Sequence, residues 1–250
     1  DAPGLNSGLN YNPSNDSPGT YYFRRVTISG LNDVCRDTTS YLTLISYPSV
    51  TNNTIASPQT ICAGATINDL TGSAPTGGNG TYNYQWQSSP DNSTWTPNGK
   101  TGQTMTGVPV NTTTYFNRVV TSSVCPASTS SSVKITAYPA LANYEISLLG
   151  PAAHDTILAG TLPGLIGSSD VTGGNGGAPA YSWYVSVNGT DYTDTGVTSR
   201  DYQPGALTVT TWFMRTVKSL PCTESAVQKI TVLQQISGNT ITGTQYICSS

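Results

Sequence analysis

The sequence predicts an all-β chain of tandem β-sandwich domains, and three observations carry that prediction. The residue usage suits strands, the same motifs return at the spacing of a whole small domain, and apolar and polar residues alternate in short runs. Only 9% of the 250 residues are charged, against about 25% in an ordinary soluble domain. Helix formers are scarce, with two glutamates (Glu145, Glu224) and four lysines (Lys100, Lys134, Lys218, Lys229), while tyrosine alone counts 15. Thr, Ser, Tyr and Val suit pleated, half-buried strands, which disfavours a helical bundle or an α/β enzyme. The aromatic content and a net charge of −3 argue against disorder. A pI near 4.9 argues against a basic nucleic-acid binder.

The repeat fixes the domain size. Tyr22-Phe23-Arg24-Arg25-Val26 returns as Tyr115-Phe116-Asn117-Arg118-Val119 and again as Trp212-Phe213-Met214-Arg215-Thr216, at offsets of 93 and 97 residues. Each copy is followed by a cysteine: Cys35, Cys125 and Cys222. Gly77-Gly78-Asn79-Gly80 returns as Gly173-Gly174-Asn175-Gly176, and Tyr84-Gln85-Trp86 as Tyr181-Ser182-Trp183. Ile61-Cys62-Ala63-Gly64 returns as Ile247-Cys248-Ser249-Ser250. A period of about 91–97 residues is too long for a solenoid and matches one complete small domain. The domains are expected at 1–48 (the C-terminal part of a repeat), 49–139 and 140–235 (complete repeats) and 236–250 (the start of a further one). Short junctions after the strands near Pro48, Pro139 and Gln235 predict a semi-rigid string.

Within 49–139 each element has a local cause. Ile55 and residues 60–62 read as a split first strand, and residues 66–70 as a second. The Gly-rich turn at 76–80 leads into Tyr82-Asn83-Tyr84-Gln85-Trp86, whose alternation buries one face. Residues 93–96 and 103–106 are short strands, 113–121 a long one, 122–127 a turn and 131–137 the last strand. Seven short strands with turns every 8–12 residues or so are the signature of an immunoglobulin-like sandwich. Trp86 and Trp183 are its expected core tryptophans, with Tyr115 and Trp212 as further core residues.

Five cysteines (Cys35, Cys62, Cys125, Cys222, Cys248) and a single histidine, His154, contain no Cys-x-x-Cys pair, so a zinc site is not expected. Wide spacing in a Ser/Thr/Gly-rich chain points to disulfides and an oxidising compartment. Two pairings are conceivable: Cys62–Cys125 within a repeat, or Cys35–Cys62 and Cys222–Cys248 across junctions. If the start of the first strand and the turn before the last strand share a pole, Cys62 and Cys125 are neighbours. Cys35 would then lie roughly 30–40 Å away at about 3.3 Å per residue, too far for a bond that needs Cα atoms within about 7 Å. The expected pair is Cys62–Cys125, with the partners of Cys35 and Cys248 outside the 250 residues. Leu158 takes the place of Cys62 in the next repeat, which leaves Cys222 without a partner in its repeat, either as a buried thiol packed against Leu158 or as one offered to another chain.

Residues 61–64, 77–96 and 113–125 resemble the Ig-like repeats of very large surface proteins of Bacteroidetes, including SprB-type gliding adhesins exported by the type IX secretion system. The resemblance covers essentially the whole chain. The repeat 140–235 departs from it at Leu158, at Trp183-Tyr184, and in an insertion before position 158. It implies extracellular display at the cell surface and an adhesive or stalk role, with neighbouring repeats, surface glycans or other fibre subunits as partners. It also implies O-glycosylation at Asp-Thr-x sites, with Thr38 and Thr156 as candidates.

No chemistry of other kinds is expected. A phosphate loop opens a helix, whereas each Gly-Gly-Asn-Gly segment precedes a strand pattern and reads as a plain turn. A catalytic triad would depend on His154 alone, which falls in the insertion and reads as a solvated loop residue. The 13 acids do not recur in register, so paired carboxylates are not expected. Asp91 and Asp191 are turn acids without a calcium-loop pattern. Arg25, Arg118 and Arg215 recur in register, which favours a structural contact with an aromatic ring or a carboxylate over a repeated ligand contact. No run of 18 apolar residues is present, and Asp1-Ala2-Pro3-Gly4 carries no signal pattern. The expected role is non-catalytic, without cofactor, metal, nucleic acid or membrane insertion, as a spacer in a long surface fibre. Carbohydrate-binding modules of a secreted enzyme are the alternative.

Overall fold

The computed structural model describes residues 17–30, 35–150, 153–244, 246 and 248, and no helix occurs among them. The N-terminal tetrapeptide, part of the insertion at 150–155 and most of the Ile-Cys-Ser-Ser segment at 247–250 lie outside the described residues.

Residues 17–48 form β1 (Gly19–Phe23), β2 (Val26–Ser29), β3 (Cys35–Thr38) and β4 (Leu42–Ser46). β1 pairs antiparallel with β4, and β2 with β3 in a hairpin that sets Ser29 opposite Cys35. Residues 49–139 form β5 (Gln59–Cys62), β6 (Asn83–Ser89), β7 (Thr96–Pro97), β8 (Thr114–Thr121), β9 (Ser128–Thr129) and β10 (Val133–Tyr138). One sheet has the order β5-β10-β8-β6-β7, with β9 also on β8. A second layer is built from the bridges Thr51↔Thr76, Ile55↔Gly72, Thr66↔Pro109 and Leu70↔Met105. Residues 140–235 form β11 (Ser147–Leu149), β12 (Thr156–Leu158), β13 (Leu165–Gly167), β14 (Ala180–Ser186), β15 (Thr193–Asp194), β16 (Thr211–Ser219) and β17 (Cys222–Leu233). Here one sheet runs β12-β17-β16-β14-β15. The other joins β11 to β13 and is extended by bridges Ala142↔Thr172, Thr161↔Leu207 and Ile166↔Tyr202. A first strand split between two layers, with a Trp-bearing strand paired to the middle strand of its sheet, is the immunoglobulin-like sandwich.

The interior follows from alternation. Trp86 stands opposite Arg118 across β6 and β8, and Trp183 opposite Arg215 across β14 and β16. All four side chains are 0% exposed. Phe116, Val120, Phe213 and Val217 share that inner face. Tyr115 and Trp212, expected in the core, are only half-buried. They belong to the opposite phase of their strands, and each lies under a lysine ammonium: Lys134 at 5.9 Å and Lys229 at 5.1 Å from the ring centroids. A period of two places only one member of each Tyr-Phe or Trp-Phe pair inside, and the buried arginine two residues on from the Phe sets which.

Two compact units emerge from the contacts. One comprises Asp1–Gln59, Thr66–Pro109 and Thr113–Thr136; the other comprises Thr60–Ala65, Val110–Thr112 and Ala137–Ser250. The strand end around Cys62 is therefore part of the second unit, although in sequence it belongs to the repeat 49–139. In that unit Ala63 N–H donates to Tyr138 O (2.7 Å), and Gly64 N–H to Val110 O (2.9 Å).

Candidate functional site: the disulfide and the turn that receives it

The most distinctive chemistry is covalent. Cys62 and Cys222 form a disulfide with Cα atoms 5.0 Å apart and a sequence separation of 160. Cys222 starts β17 opposite Ser219, is 1% exposed, and packs in a cluster with Leu141 and Val217, against which Cys62 lies. Its Sγ sits 3.4 Å from Pro139 O. That carbonyl also accepts the N–H of Gly174 at 2.8 Å. The junction, the Gly-Gly-Asn-Gly loop and the turn between β16 and β17 thus meet at one point, and the disulfide is made there.

This overturns the expected Cys62–Cys125 pair and the unpaired Cys222. Strand direction is the cause. β12 pairs with β17 in parallel, Leu158 facing Leu233, so the second half of the split strand finishes where the last strand finishes. In the repeat 49–139 the same arrangement puts Ala63 on Tyr138. A strand-end cysteine therefore lies at the exit of its repeat, a last strand's length from the turn of that repeat. It meets the turn cysteine of the repeat that follows. Leu158 pairs with Leu233, at the opposite end of β17 from Cys222, and is 51% exposed. Among the described residues Cys35, Cys125 and Cys248 form no disulfide.

The Gly-Gly-Asn-Gly loops are turns, as expected, but they do more than reverse the chain. Gly78 N–H donates to Pro48 O at 2.8 Å, and Asn79 Oδ1 accepts from Ser122 Oγ at 2.9 Å. In the second unit Gly174 N–H and Asn175 Oδ1 make the matching bonds to Pro139 O and Ser219 Oγ. A Cβ on Gly77 would fall 2.0 Å from Ser49 O, and one on Gly173 2.1 Å from Ala140 O. The loop is glycine-rich because the junction backbone passes against it. The motif's recurrence was the available signal for this role; its partner, the junction carbonyl, has no sequence signature.

The recurrent arginines are structural. The guanidinium of Arg118 lies 5.2 Å from the Tyr84 ring and 5.9 Å from Trp86, and donates to Asn53 Oδ1 (3.0 Å), Gln103 O (2.8 Å) and Ser73 O (2.8 Å). Arg215 lies 5.2 Å from Tyr181 and donates to Arg200 O (2.8 Å), Tyr144 O (2.9 Å) and Ser168 Oγ (2.8 Å). Neither guanidinium donates to a carboxylate, and burial pushes both pKa values down. Carbonyl dipoles and ring faces take the place of a counter-ion. Arg25, by contrast, is exposed, its backbone bonded to Thr39.

The turn acids are occupied. Asp91 Oδ1 accepts from Ser89 Oγ (2.8 Å), Ser93 N–H (2.8 Å) and Thr94 N–H (2.7 Å). The backbone donors of Thr94 and Ser93 are the main reason its carboxyl is held well below the usual range. Asn188 fills the same place in the second unit, accepting from Ser186 Oγ, Thr190 N–H and Asp191 N–H at 2.9 Å each. Asp191 is exposed and pairs with Asn188 Nδ2. His154, Thr38 and Thr156 are exposed, and Thr156 Oγ1 donates to Asp155. Among the described residues no three His, Cys, Asp or Glu side chains gather into a metal-binding group, and no helix is long and apolar enough to cross a membrane.

The family description "Domain of unknown function (DUF8696)" matches residues 51–139 and 151–234. The chain belongs to this family. It carries two DUF8696 domains, and the Cys62–Cys222 bond runs from the sequence of the first to that of the second. No curated protein matches the chain. Among solved structures, a three-Ig segment of titin (an E-to-A variant) has 10% identity over 79% of this chain and 70% of its own, with a TM-score of 0.41. Extracellular domains 3–5 of Drosophila OTK have 13% identity, cover 86% and 71%, and score 0.38. The three N-terminal domains of the bacteriophage RB49 outer capsid protein Hoc have 12% identity, cover 91% and 92%, and score 0.35. At such scores the likeness adds nothing to what the strand order of the DUF8696 domains already establishes.

Proposed function

We propose that these tandem domains are a non-catalytic structural and adhesive segment of a long bacterial cell-surface fibre, spacing a distal adhesive region from the cell, as in gliding motility. The observation that carries this reading is the disulfide. It ties the strand end of one sequence repeat to the turn of the next, which suits a tandem-repeat chain displayed outside the cell, where thiols oxidise. The polar features that recur between repeats support it as well. Arg118 and Arg215, the Asn-bearing loops and the Asp91/Asn188 turns are all engaged in internal hydrogen bonds. Trp86 and Trp183 are buried rather than offered to sugars, and the exposed pair Tyr22–Tyr41 meets edge-on at 84° rather than as a flat platform.

Antibodies raised against residues 49–235 test the proposal on intact cells. Labelling of filaments on unpermeabilised cells is expected. Labelling only after permeabilisation would overturn it, and micromolar binding of this segment on a glycan array would favour the carbohydrate-binding alternative.

A further inference from the structure

We propose that Cys125 is the receiving half of a second disulfide, closed by the strand-end cysteine of an Ig-like repeat N-terminal to residue 49. The inference does not depend on the fibre reading. It rests on the equivalence of two turns, one of which is already bonded.

Position 125 matches position 222 in each feature that builds the bonded turn. Cys125 Sγ lies 3.6 Å from Pro48 O, as Cys222 Sγ lies 3.4 Å from Pro139 O. The same carbonyl accepts a Gly-Gly loop N–H at 2.8 Å in both, from Gly78 and from Gly174. Val50 and Val120 are buried in the first unit at the positions of Leu141 and Val217 in the second. Cys222 is shielded by its partner, whereas Cys125 is half-exposed. The first unit therefore presents a finished landing turn with a half-exposed thiol.

The cysteines sort into two kinds. Cys35, Cys125 and Cys222 are turn cysteines; Cys35 stands opposite Ser29 as Cys222 stands opposite Ser219. Cys62 and Cys248 follow an isoleucine in the strand-end motif. The observed bond joins a strand-end cysteine to a turn cysteine 160 residues later. Cys62 is consumed by Cys222, and Cys35 is of the wrong kind. By the same spacing, the partner of Cys125 is the strand-end cysteine about 160 residues N-terminal to it, in the repeat before residues 49–139. At position 158 a leucine stands instead of the strand-end cysteine, so the series skips one junction.

The bond forms by exchange with a disulfide oxidant, whether a protein dithiol oxidase or a small-molecule disulfide. One cysteine thiolate attacks the oxidant's disulfide and releases its first thiol. The second thiolate attacks the resulting mixed disulfide and releases the other. The two cysteines lose two protons and two electrons, and the oxidant gains them.

The test is made on the native polypeptide, alkylated with iodoacetamide before any reduction, digested and mapped by mass spectrometry. Cys125 is expected only in a peptide cross-linked to one from about 160 residues upstream, and free after dithiothreitol. An alkylated Cys125 in the unreduced sample, or a link to Cys35, Cys248 or a second copy, overturns the proposal. Cys125→Ser gives a readout independent of folding, counted in denaturant without reductant. If Cys125 is bonded, the number of free thiols rises by one, because the partner is left unpaired; if it is free, the number falls by one.

Discussion

A buried arginine without a carboxylate depends on the neutral acceptors its guanidinium meets, and that makes Arg118 a sensitive point. Arg118→Leu fills similar volume but leaves Asn53 Oδ1, Gln103 O and Ser73 O without their donor. At about 1 kcal/mol or more for each stranded acceptor, the loss is expected to be on the order of 3–5 kcal/mol, read as a lower urea midpoint with an unchanged slope. Asp91 gives a pH signature instead. Its folded pKa is depressed, so its contribution is complete above the unfolded value of about 4 and disappears as pH falls below that towards the folded value. Asp91→Asn is expected to keep the turn, as Asn188 does, and to flatten the fall in stability below about pH 4. An acid titration followed by tyrosine fluorescence checks it; an unchanged acid limb would show that the carboxyl does not contribute.

At the scale of elements, much of the sandwich was legible because strand faces have a period of two. Tyr84 and Trp86 identify β6, and the repeat then supplies β14 without further argument. What could not be read was direction. The run Thr60-Ile61-Cys62 is too short to say whether β5 lies parallel or antiparallel to the last strand, and the disulfide partner of Cys62 follows from that choice alone. The inward phase of β8 and β16 was equally hidden, since Tyr-Phe and Trp-Phe offer two aromatics to one site and tertiary contacts with Arg118 and Arg215 decide. The landing turn makes a further prediction. In Gly78→Ala the Cβ would fall 2.1 Å from Ser122 Oγ at a φ of +60°, whereas Gly80, at +83°, faces open space. Gly78→Ala is expected to cost about 2 kcal/mol or more, and Gly80→Ala about 1 kcal/mol from backbone strain alone. Thermal melts of the two variants separate close approach from conformational strain; equal losses would mean that Ser122 does not press on the loop.

For the whole molecule, the consequence of the Cys62–Cys222 bond is mechanical. Tension applied between the chain ends enters at residue 62, crosses the sulfur–sulfur bond and leaves at residue 222. The 160-residue stretch it closes contains β6 to β16, that is, most of both DUF8696 matches. While the bond is intact, the loop cannot be drawn out between its ends, and only the segments outside it can lengthen. Breaking the bond exposes the loop to force. At up to about 3.6 Å per residue, its extension adds roughly 57 nm of contour length. Pulling single molecules from their termini by atomic force or optical tweezers is expected to show this increment in dithiothreitol, or in a Cys62→Ser, Cys222→Ser double variant, and not in the oxidised wild type. The same unfolding lengths with and without the bond would mean that 62 and 222 are not joined in the folded protein. If the increment appears as expected, oxidation makes the segment a nearly inextensible tether, and reduction turns it into one that yields.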